Sequence, residues 1–208
     1  MDPQSPSAFV SGADDARHRR MNYVFPGLLL ALTMVLQAFA PHTTLALRYD
    51  RAAVAGGEVW RLITGNLVHL NWPHLLLNLA GLVLIWVLLA REWSFRFWCA
   101  AFLICALAVG GGLFAFDPAL QWYVGLSGVL HGLFVIALLT EPHLRWFERV
   151  GLLAALAAKI AWEQFHGPTP GVTELIHGAV VVQAHLYGAL GGAVFGAGAW
   201  LGGRTRGG

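Results

Sequence analysis

The chain has 208 residues, of which 57% are hydrophobic and only 12% are charged. Soluble domains carry about a quarter charged residues, so this composition excludes an ordinary soluble domain and requires a lipid bilayer around much of the chain. A net charge of only +2 gives no support to a nucleic-acid partner, and Cys99 and Cys105, six residues apart in one apolar segment, do not indicate a disulfide framework.

Apolar runs along the chain predict an all-α, polytopic membrane protein with six transmembrane helices. The predicted helices cover residues 24–40, 72–90, 94–116, 125–140, 146–165 and 178–201. We divide the chain into a polar tail (1–21), a membrane domain (22–203) and a basic tail (204–208). Within the membrane domain, the amphipathic segment 41–71 between the first two helices is expected to lie at the membrane interface.

The distribution of arginines predicts the orientation of this bundle. Nine arginines flank the helix ends on one side, whereas Arg48, Arg51 and Arg61 lie on the other. By the positive-inside rule both termini are expected to be cytoplasmic. The start of the chain also resembles a cleavable signal peptide, but its apolar run is long enough to span, so we expect the first helix to be retained.

Four polar side chains are predicted to lie at similar depth, because the second, fourth and sixth helices run in the same direction. His74 and Asn78 lie in the first two turns of the second helix, Ser127 lies in the first turn of the fourth, and His185 lies about two turns into the sixth. Polar groups in a membrane span are costly and suggest a function. A serine and a histidine within hydrogen-bond reach would provide a nucleophile and a base, which predicts peptide-bond hydrolysis inside the bilayer.

Glycines at four-residue spacing favour close contact between the fourth and sixth helices. Gly128 and Gly132 lie on the fourth helix, and Gly188 and Gly192 lie on the sixth. Small residues at this spacing allow transmembrane backbones to approach closely. The same pattern also packs helices that have no catalytic role, so it does not by itself indicate a function.

The chain resembles rhomboid intramembrane serine proteases along nearly all of residues 24–201. The motifs that carry this resemblance are, in order, Trp60-Arg61, His69-Leu-Asn-Trp-Pro-His74-Leu-Leu-Leu-Asn78, Gly125-Leu-Ser127-Gly128, and Ala184-His185-Leu-Tyr-Gly188 followed by Gly192. The resemblance implies a six-helix rhomboid-like bundle in which Ser127 is the nucleophile and His185 is the general base and acid. It implies a dyad without a carboxylate, and the sequence does not contradict this, because the nearby carboxylates Asp117 and Glu174 lie in connecting segments.

The resemblance also implies supporting roles for other residues. His74, Asn78 and the backbone N–H of Ser127 would form the oxyanion hole, with Gly125 supporting the site. We expect His69 to have a structural role in the loop that also contains Trp60, and Arg61 to hold that loop by bonding carbonyls. No metal and no cofactor are implied.

Position 131 departs from the common rhomboid pattern, because most rhomboids have a tyrosine there. His131 instead resembles the rhombosortase branch, which implies a bacterial inner-membrane protease and substrates ending in a Gly-Gly motif, a transmembrane helix and a basic tail. Its side chain, on the same helix face as Ser127, would stack on or bond His185, contact the substrate, or act as a spacer. Lys159 and Glu163 form a second polar pair in the fifth helix, and we expect them chiefly to neutralise each other.

Three classes of function are compared on these residues. The first is a serine protease that cuts near the outer face of the membrane, and a general rhomboid protease with other substrates would use the same chemistry. A non-catalytic rhomboid-like binder of transmembrane segments would be expected to lack Ser127 or His185, and this chain has both. A metal or haem protein is suggested by nine histidines, but no HExxH motif is present and the intramembrane histidines are expected to lack carboxylate or thiolate partners. The individual substrate, the choice of water or an amine as acceptor, and the oligomeric state stay open.

Overall fold

The computed structural model describes the backbone of residues 6–203 and the side chains of residues 22–203. This part of the chain is helical apart from loops and one short two-stranded sheet. Its elements are α1 Pro6–Ala38, α2 His42–Leu47, β1 Tyr49–Asp50, α3 Arg51–Ala55, α4 Arg61–Thr64, α5 Trp72–Leu89, α6 Phe95–Phe116, β2 Trp122–Tyr123, α7 Ser127–Thr140, α8 Trp146–His166, α9 Val172–Ile176 and α10 Val182–Leu201.

Each of the six predicted helices has a counterpart, namely α1, α5, α6, α7, α8 and α10. Helix α1 begins at Pro6 and therefore extends into the predicted polar tail, whereas the predicted basic tail (204–208) lies outside the described residues. Two helices begin later than predicted. Gly125 has a φ of +126°, so α7 begins only at Ser127, and the non-helical Val181 delays the start of α10 to Val182.

Two of these helices are long and apolar enough to cross a membrane on length and composition alone. They are α5 and α6, while the stretch Asn22–Ala38 and α7 are apolar but shorter. A helix rises about 1.5 Å per residue, so the 14 residues of α7 extend over only about two-thirds of a typical hydrocarbon core. The count of six spanning helices therefore stays a prediction.

Helix α7 lies at the centre of the bundle and packs most extensively against α10 and α6. Its side chains Val129, Leu133, Ile136 and Ala137 are fully enclosed. The two glycine faces meet as expected: a Cβ added at Gly128 would lie 2.7 Å from the carbonyl oxygen of Ala184 on α10. This contact brings the N-terminal ends of α7 and α10 together.

The segment 41–71 contains three short helices and strand β1. Strand β1 pairs with β2 in antiparallel register, with Tyr49 opposite Tyr123. Asp50 caps α3, and the hydrogen bond from the Ala53 N–H lowers the pKa of its carboxyl group. Arg51 donates to the carbonyls of Leu113, Phe114 and Asp117 at the end of α6. The loop is thus attached to the end of α6 and to the strand that precedes α7.

Candidate active site

Ser127 and His185 lie within hydrogen-bond distance at the N-terminal ends of α7 and α10. Ser127 is the first residue of α7, and its Oγ donates to Nε2 of His185 at 3.1 Å. His185 is 4% exposed. Because α10 begins at Val182, His185 lies about one turn into its helix, so the expected depth of two turns is wrong.

The second ring nitrogen of His185 has a carboxylate partner, which the sequence analysis did not expect. Nδ1 of His185 lies 2.8 Å from Oε2 of Glu163, and the side chain of Glu163 is 2% exposed. The expectation of a serine–histidine pair without a carboxylate is therefore wrong for this geometry. The sequence did indicate that these two residues lie near each other. Glu163 lies at the end of the fifth predicted helix, which shares a leaflet with the start of the sixth, where His185 lies.

His131 and Lys159 complete the polar cluster around His185. The ring of His131 stacks on that of His185, with centroids 4.1 Å apart and planes at 14°. Nδ1 of His131 lies 2.8 Å from the Ser127 carbonyl, and Nζ of Lys159 donates to Nε2 of His131 at 2.7 Å. The structure therefore has His131 stacked on His185, which is one of the three arrangements that the sequence left open. Lys159 also pairs with Glu163 at 2.8 Å, as the i,i+4 spacing indicated.

His74 and Asn78 on α5 face the same site. Nδ1 of His74 accepts from the Leu70 N–H at 3.5 Å, so in the neutral ring Nε2 carries the proton and is a donor. Asn78 uses one amide hydrogen to reach the His74 carbonyl at 3.1 Å and has a second hydrogen available. The N-terminal end of α7 adds backbone N–H groups, which have no partner within their own helix. These donors are of the kind that stabilises an oxyanion.

The turn before Ser127 is held by two features. Gly125 has a φ of +126°, and a Cβ there would lie 2.8 Å from Cε1 of His74, so glycine is required on both conformational and steric grounds. The Tyr123 hydroxyl donates to the Gly125 carbonyl at 2.6 Å. Burial raises the pKa of the Tyr123 hydroxyl. The sequence analysis did not identify Tyr123, and we find no sequence signal for it beyond its position before the motif.

The remaining predicted loop residues lie outside this cluster. Nη1 of Arg61 donates to the Arg48 carbonyl at 2.9 Å, in keeping with its expected role, and Nε pairs with Glu58 at 2.6 Å. Trp60 is half exposed. His69 is buried and packs edge-on against His74, with ring centroids 5.1 Å apart. Burial lowers the pKa of His69 to about 3, so its ring is neutral at physiological pH.

A cavity of about 370 Å³ adjoins these side chains. Its walls include apolar residues of α5 and α8, and Pro168 and Thr169 of the loop before α9 also line it. The polar residues that line it are His74, Asn78, Ser127, His131, Glu163, Thr169 and His185. Ser127 therefore lies at the wall of a cavity that also has apolar walls.

The expectation that the intramembrane histidines lack a carboxylate partner is wrong. Possible ligand atoms of His131, Glu163 and His185 lie within 4.8 Å of one another. However, Nζ of Lys159 lies 2.7 Å, 2.8 Å and 3.4 Å from these three side chains. An ammonium group already interacts with this cluster and would repel a metal cation, so the geometry does not favour a metal centre.

The chain is similar to known proteins over most of its length. The rhomboid domain matches residues 56–201, more than half of the chain. The chain is 29% identical over 174 residues to "Putative rhomboid protease YdcA" of Bacillus subtilis (strain 168), a match that covers 79% of the chain and 82% of that protein. It is 30% identical over 130 residues to "RHOMBOID-like protein 4" of Arabidopsis thaliana, covering 61% of the chain and 32% of that longer relative. The chain therefore belongs to the rhomboid family, whose members are integral membrane serine proteases that act on transmembrane substrates within the bilayer.

Proposed function

We propose that this protein is an intramembrane serine endopeptidase in which Ser127 is the nucleophile and His185 is the general base and acid. The observation that carries the proposal is the 3.1 Å hydrogen bond from Ser127 Oγ to His185 Nε2, beside a cavity that is also lined by His74 and Asn78. A nucleophile that donates directly to its base is the arrangement that serine hydrolysis requires.

The proposed reaction proceeds in two steps. Ser127 Oγ attacks the scissile carbonyl carbon while its proton passes to His185 Nε2. The carbonyl oxygen becomes an oxyanion held by His74 Nε2–H, the free amide hydrogen of Asn78 and the N–H of Ser127, and each such donor can contribute about 2.7–4 kcal/mol to transition-state stabilisation. Collapse of the intermediate breaks the C–N bond, and His185 gives its proton to the leaving amine. Water, or an amine acceptor, then attacks the acyl carbon while His185 takes its proton, and the bond from that carbon to Ser127 Oγ breaks as His185 returns a proton to the serine.

The proposed substrates are single-span proteins that carry a C-terminal Gly-Gly motif, a transmembrane helix and a basic tail. This class follows from the resemblance of the His131 position to the rhombosortase branch, and the stacking of His131 on His185 makes that position part of the site. With the orientation expected from the arginines, six helices would span the bacterial inner membrane and both termini would be cytoplasmic. The starts of α5, α7 and α10 then lie near the outer face of the membrane, where cleavage would occur.

The proposal is tested by co-expressing the protein with a single-span reporter that ends in Gly-Gly, helix and basic tail. We expect cleavage by the wild-type protein and none by Ser127→Ala, with both proteins at equal membrane levels. A matched reporter with Leu-Leu in place of Gly-Gly should stay intact. Cleavage by Ser127→Ala would overturn the assignment of the nucleophile.

Two other outcomes would favour the alternative functions. Equal cleavage of both reporters would indicate a rhomboid protease with broader substrates. Capture of the reporter without cleavage by the wild-type protein would indicate a non-catalytic binder of transmembrane segments.

A further inference from the structure

We propose that Glu163 and Lys159 act as a positioning pair for His185, so that this protein uses a charge-balanced Ser127–His185–Glu163 triad instead of a dyad. The inference rests on the proposed function, because it assumes that His185 is the base. Glu163 would act through the imidazole ring, and Lys159 would act through Glu163 and His131.

The hydrogen bond to Glu163 selects the tautomer of His185 that catalysis needs. An ionised carboxylate only accepts hydrogen bonds, so Nδ1 of His185, 2.8 Å from Glu163 Oε2, must carry the proton. In the neutral ring Nε2 then has a free lone pair, which points at the Ser127 hydroxyl 3.1 Å away. The opposite tautomer would place a hydrogen on Nε2 and block proton transfer from Ser127.

Lys159 and Glu163 both lie near Nδ1 of His185, but Glu163 is the closer partner. Its Nζ lies 3.4 Å from Nδ1 of His185, and a bond from the ammonium to that nitrogen would favour the inactive tautomer. Lys159 instead donates to Glu163 Oε2 at 2.8 Å and to His131 Nε2 at 2.7 Å. The ammonium therefore lies where it balances the buried carboxylate and does not compete for His185.

His131 links the pair to the nucleophile. The Ser127 carbonyl can only accept, so Nδ1 of His131, 2.8 Å away, carries the proton and Nε2 accepts from Lys159. The hydrogen bonds thus form a closed network through Ser127, His131, Lys159, Glu163 and His185, and each bond in it has one donor and one acceptor. Glu163 is also fixed at its other oxygen, where the Thr169 hydroxyl donates to Oε1 at 3.1 Å.

The charge of Glu163 has its largest effect when His185 takes the proton from Ser127. The resulting imidazolium lies against the carboxylate, which stays ionised, so the positive charge is stabilised as it forms. Without the carboxylate, the imidazolium would face the Lys159 ammonium in a site with little water to screen them. A neutral amide at position 163 would accept the hydrogen bond but would not provide this stabilisation.

The decisive comparison uses Glu163→Gln and the double variant Lys159→Met/Glu163→Gln. Replacing a triad carboxylate by an amide lowers kcat by roughly 10⁴-fold in a known serine protease, and we expect a loss of at least about 10²-fold here. The double variant has no unpaired charge. If the ion pair is merely structural, this variant should therefore recover wild-type activity. A positioning role predicts that it unfolds at a temperature close to wild type and yet stays at least about 10²-fold less active, since the carboxylate is still missing.

A pH profile provides a second readout that loss of folded protein would not change. The groups that face His185 are Ser127 and His131 from α7, Lys159 and Glu163 from α8, and His74 from α5. Removing the carboxylate makes protonation of His185 less favourable, so in the double variant the acidic limb of kcat/KM should move to lower pH. Glu148→Gln, the same substitution at the other end of α8, is the matched control and should change neither rate nor profile.

The possible results separate this inference from the proposed function. Full activity and an unshifted profile in the double variant would overturn the triad while leaving Ser127 and His185 in their proposed roles. Loss of activity with a shifted acidic limb would support it. If the wild-type protein shows no cleavage that depends on Ser127, the proposed function fails and the triad fails with it.

Discussion

Gly188 offers a test of whether helix packing sets the geometry of the proposed catalytic pair. It lies on α10 one turn after the position of Ala184, where α10 crosses α7 most closely. A Cβ added at Gly188 would lie 2.6 Å from the carbonyl carbon of Gly128 and closer still to its oxygen. The obstructing atoms belong to helix backbone, so no side chain can rotate to make room. Gly188→Ala must therefore displace α10 from α7.

The size of the effect follows from ordinary contact distances. Non-bonded carbon atoms prefer separations of about 3.5–4.0 Å, so the two helices must move apart by roughly 1 Å at this point. Overpacking of this kind typically costs about 1–3 kcal/mol, against a gain of up to about 1 kcal/mol from replacing glycine by alanine in a helix. The same displacement would lengthen the 3.1 Å hydrogen bond between Ser127 and His185. A misplacement of about 1 Å can lower an enzymatic rate by roughly 10²-fold.

The assay measures reporter cleavage and thermal unfolding in detergent for Gly188→Ala beside a matched control, Gly198→Ala. Gly198 lies on the same helix, and a Cβ added there would meet no atom within 4 Å, so alanine at this position should keep wild-type activity and raise stability by up to about 1 kcal/mol. We expect Gly188→Ala to be less stable than this control and about 10²-fold less active. If both variants unfold and cleave like the wild type, the glycine contact does not hold the catalytic pair together.

Three further predictions concern the surroundings of the site. Asn78→Ala should lower kcat by about 10²–10³-fold with little change in KM, and steady-state kinetics with an unchanged kcat would exclude Asn78 as an oxyanion donor. Gly125→Ala forces a side chain into a positive-φ position against the His74 ring, so it should cost about 1–3 kcal/mol, and a wild-type unfolding temperature would contradict this. Burial lowers the pKa of His69 to about 3, so between about pH 6.5 and pH 5 the imidazole binds a proton only in the unfolded chain. The free energy of unfolding of the wild type should therefore fall by about 2 kcal/mol over this range. Unfolding measured across this range should show a smaller loss for His69→Phe, and identical slopes would refute the assignment.

Much of the site could be predicted from the sequence, because alternate transmembrane helices must run in the same direction. Ser127 and His74 begin helices that run in the same direction, so their common depth follows from counting spans. The glycine spacing likewise predicted which faces of the fourth and sixth helices meet. These inferences depend only on the periodicity of helices and the thickness of the bilayer.

The misplaced details depend on tertiary contacts that periodicity does not report. Sequence spacing pairs Glu163 with Lys159, because an i,i+4 relation is visible in a sequence. The shared leaflet of their helix ends brings Glu163 near His185, but it does not show that the two side chains touch. The predicted position of His185 is a turn too deep, because the apolar residues before Val182 continue the helical pattern although the backbone there is a loop. The internal structure of segment 41–71 also depends on such contacts, because Arg51 and the β1–β2 pairing hold this segment as a compact loop.

The central claim is that Ser127 is a nucleophile activated by His185. It is tested most directly by labelling the nucleophilic hydroxyl with a fluorophosphonate probe. The purified protein would be labelled in detergent and the adduct located by mass spectrometry, with His185→Ala labelled in parallel. We predict a single adduct on Ser127 that forms at least about 10²-fold more slowly in His185→Ala, since the serine loses its general base. Labelling at another residue, or an equal rate in His185→Ala, would contradict the claim.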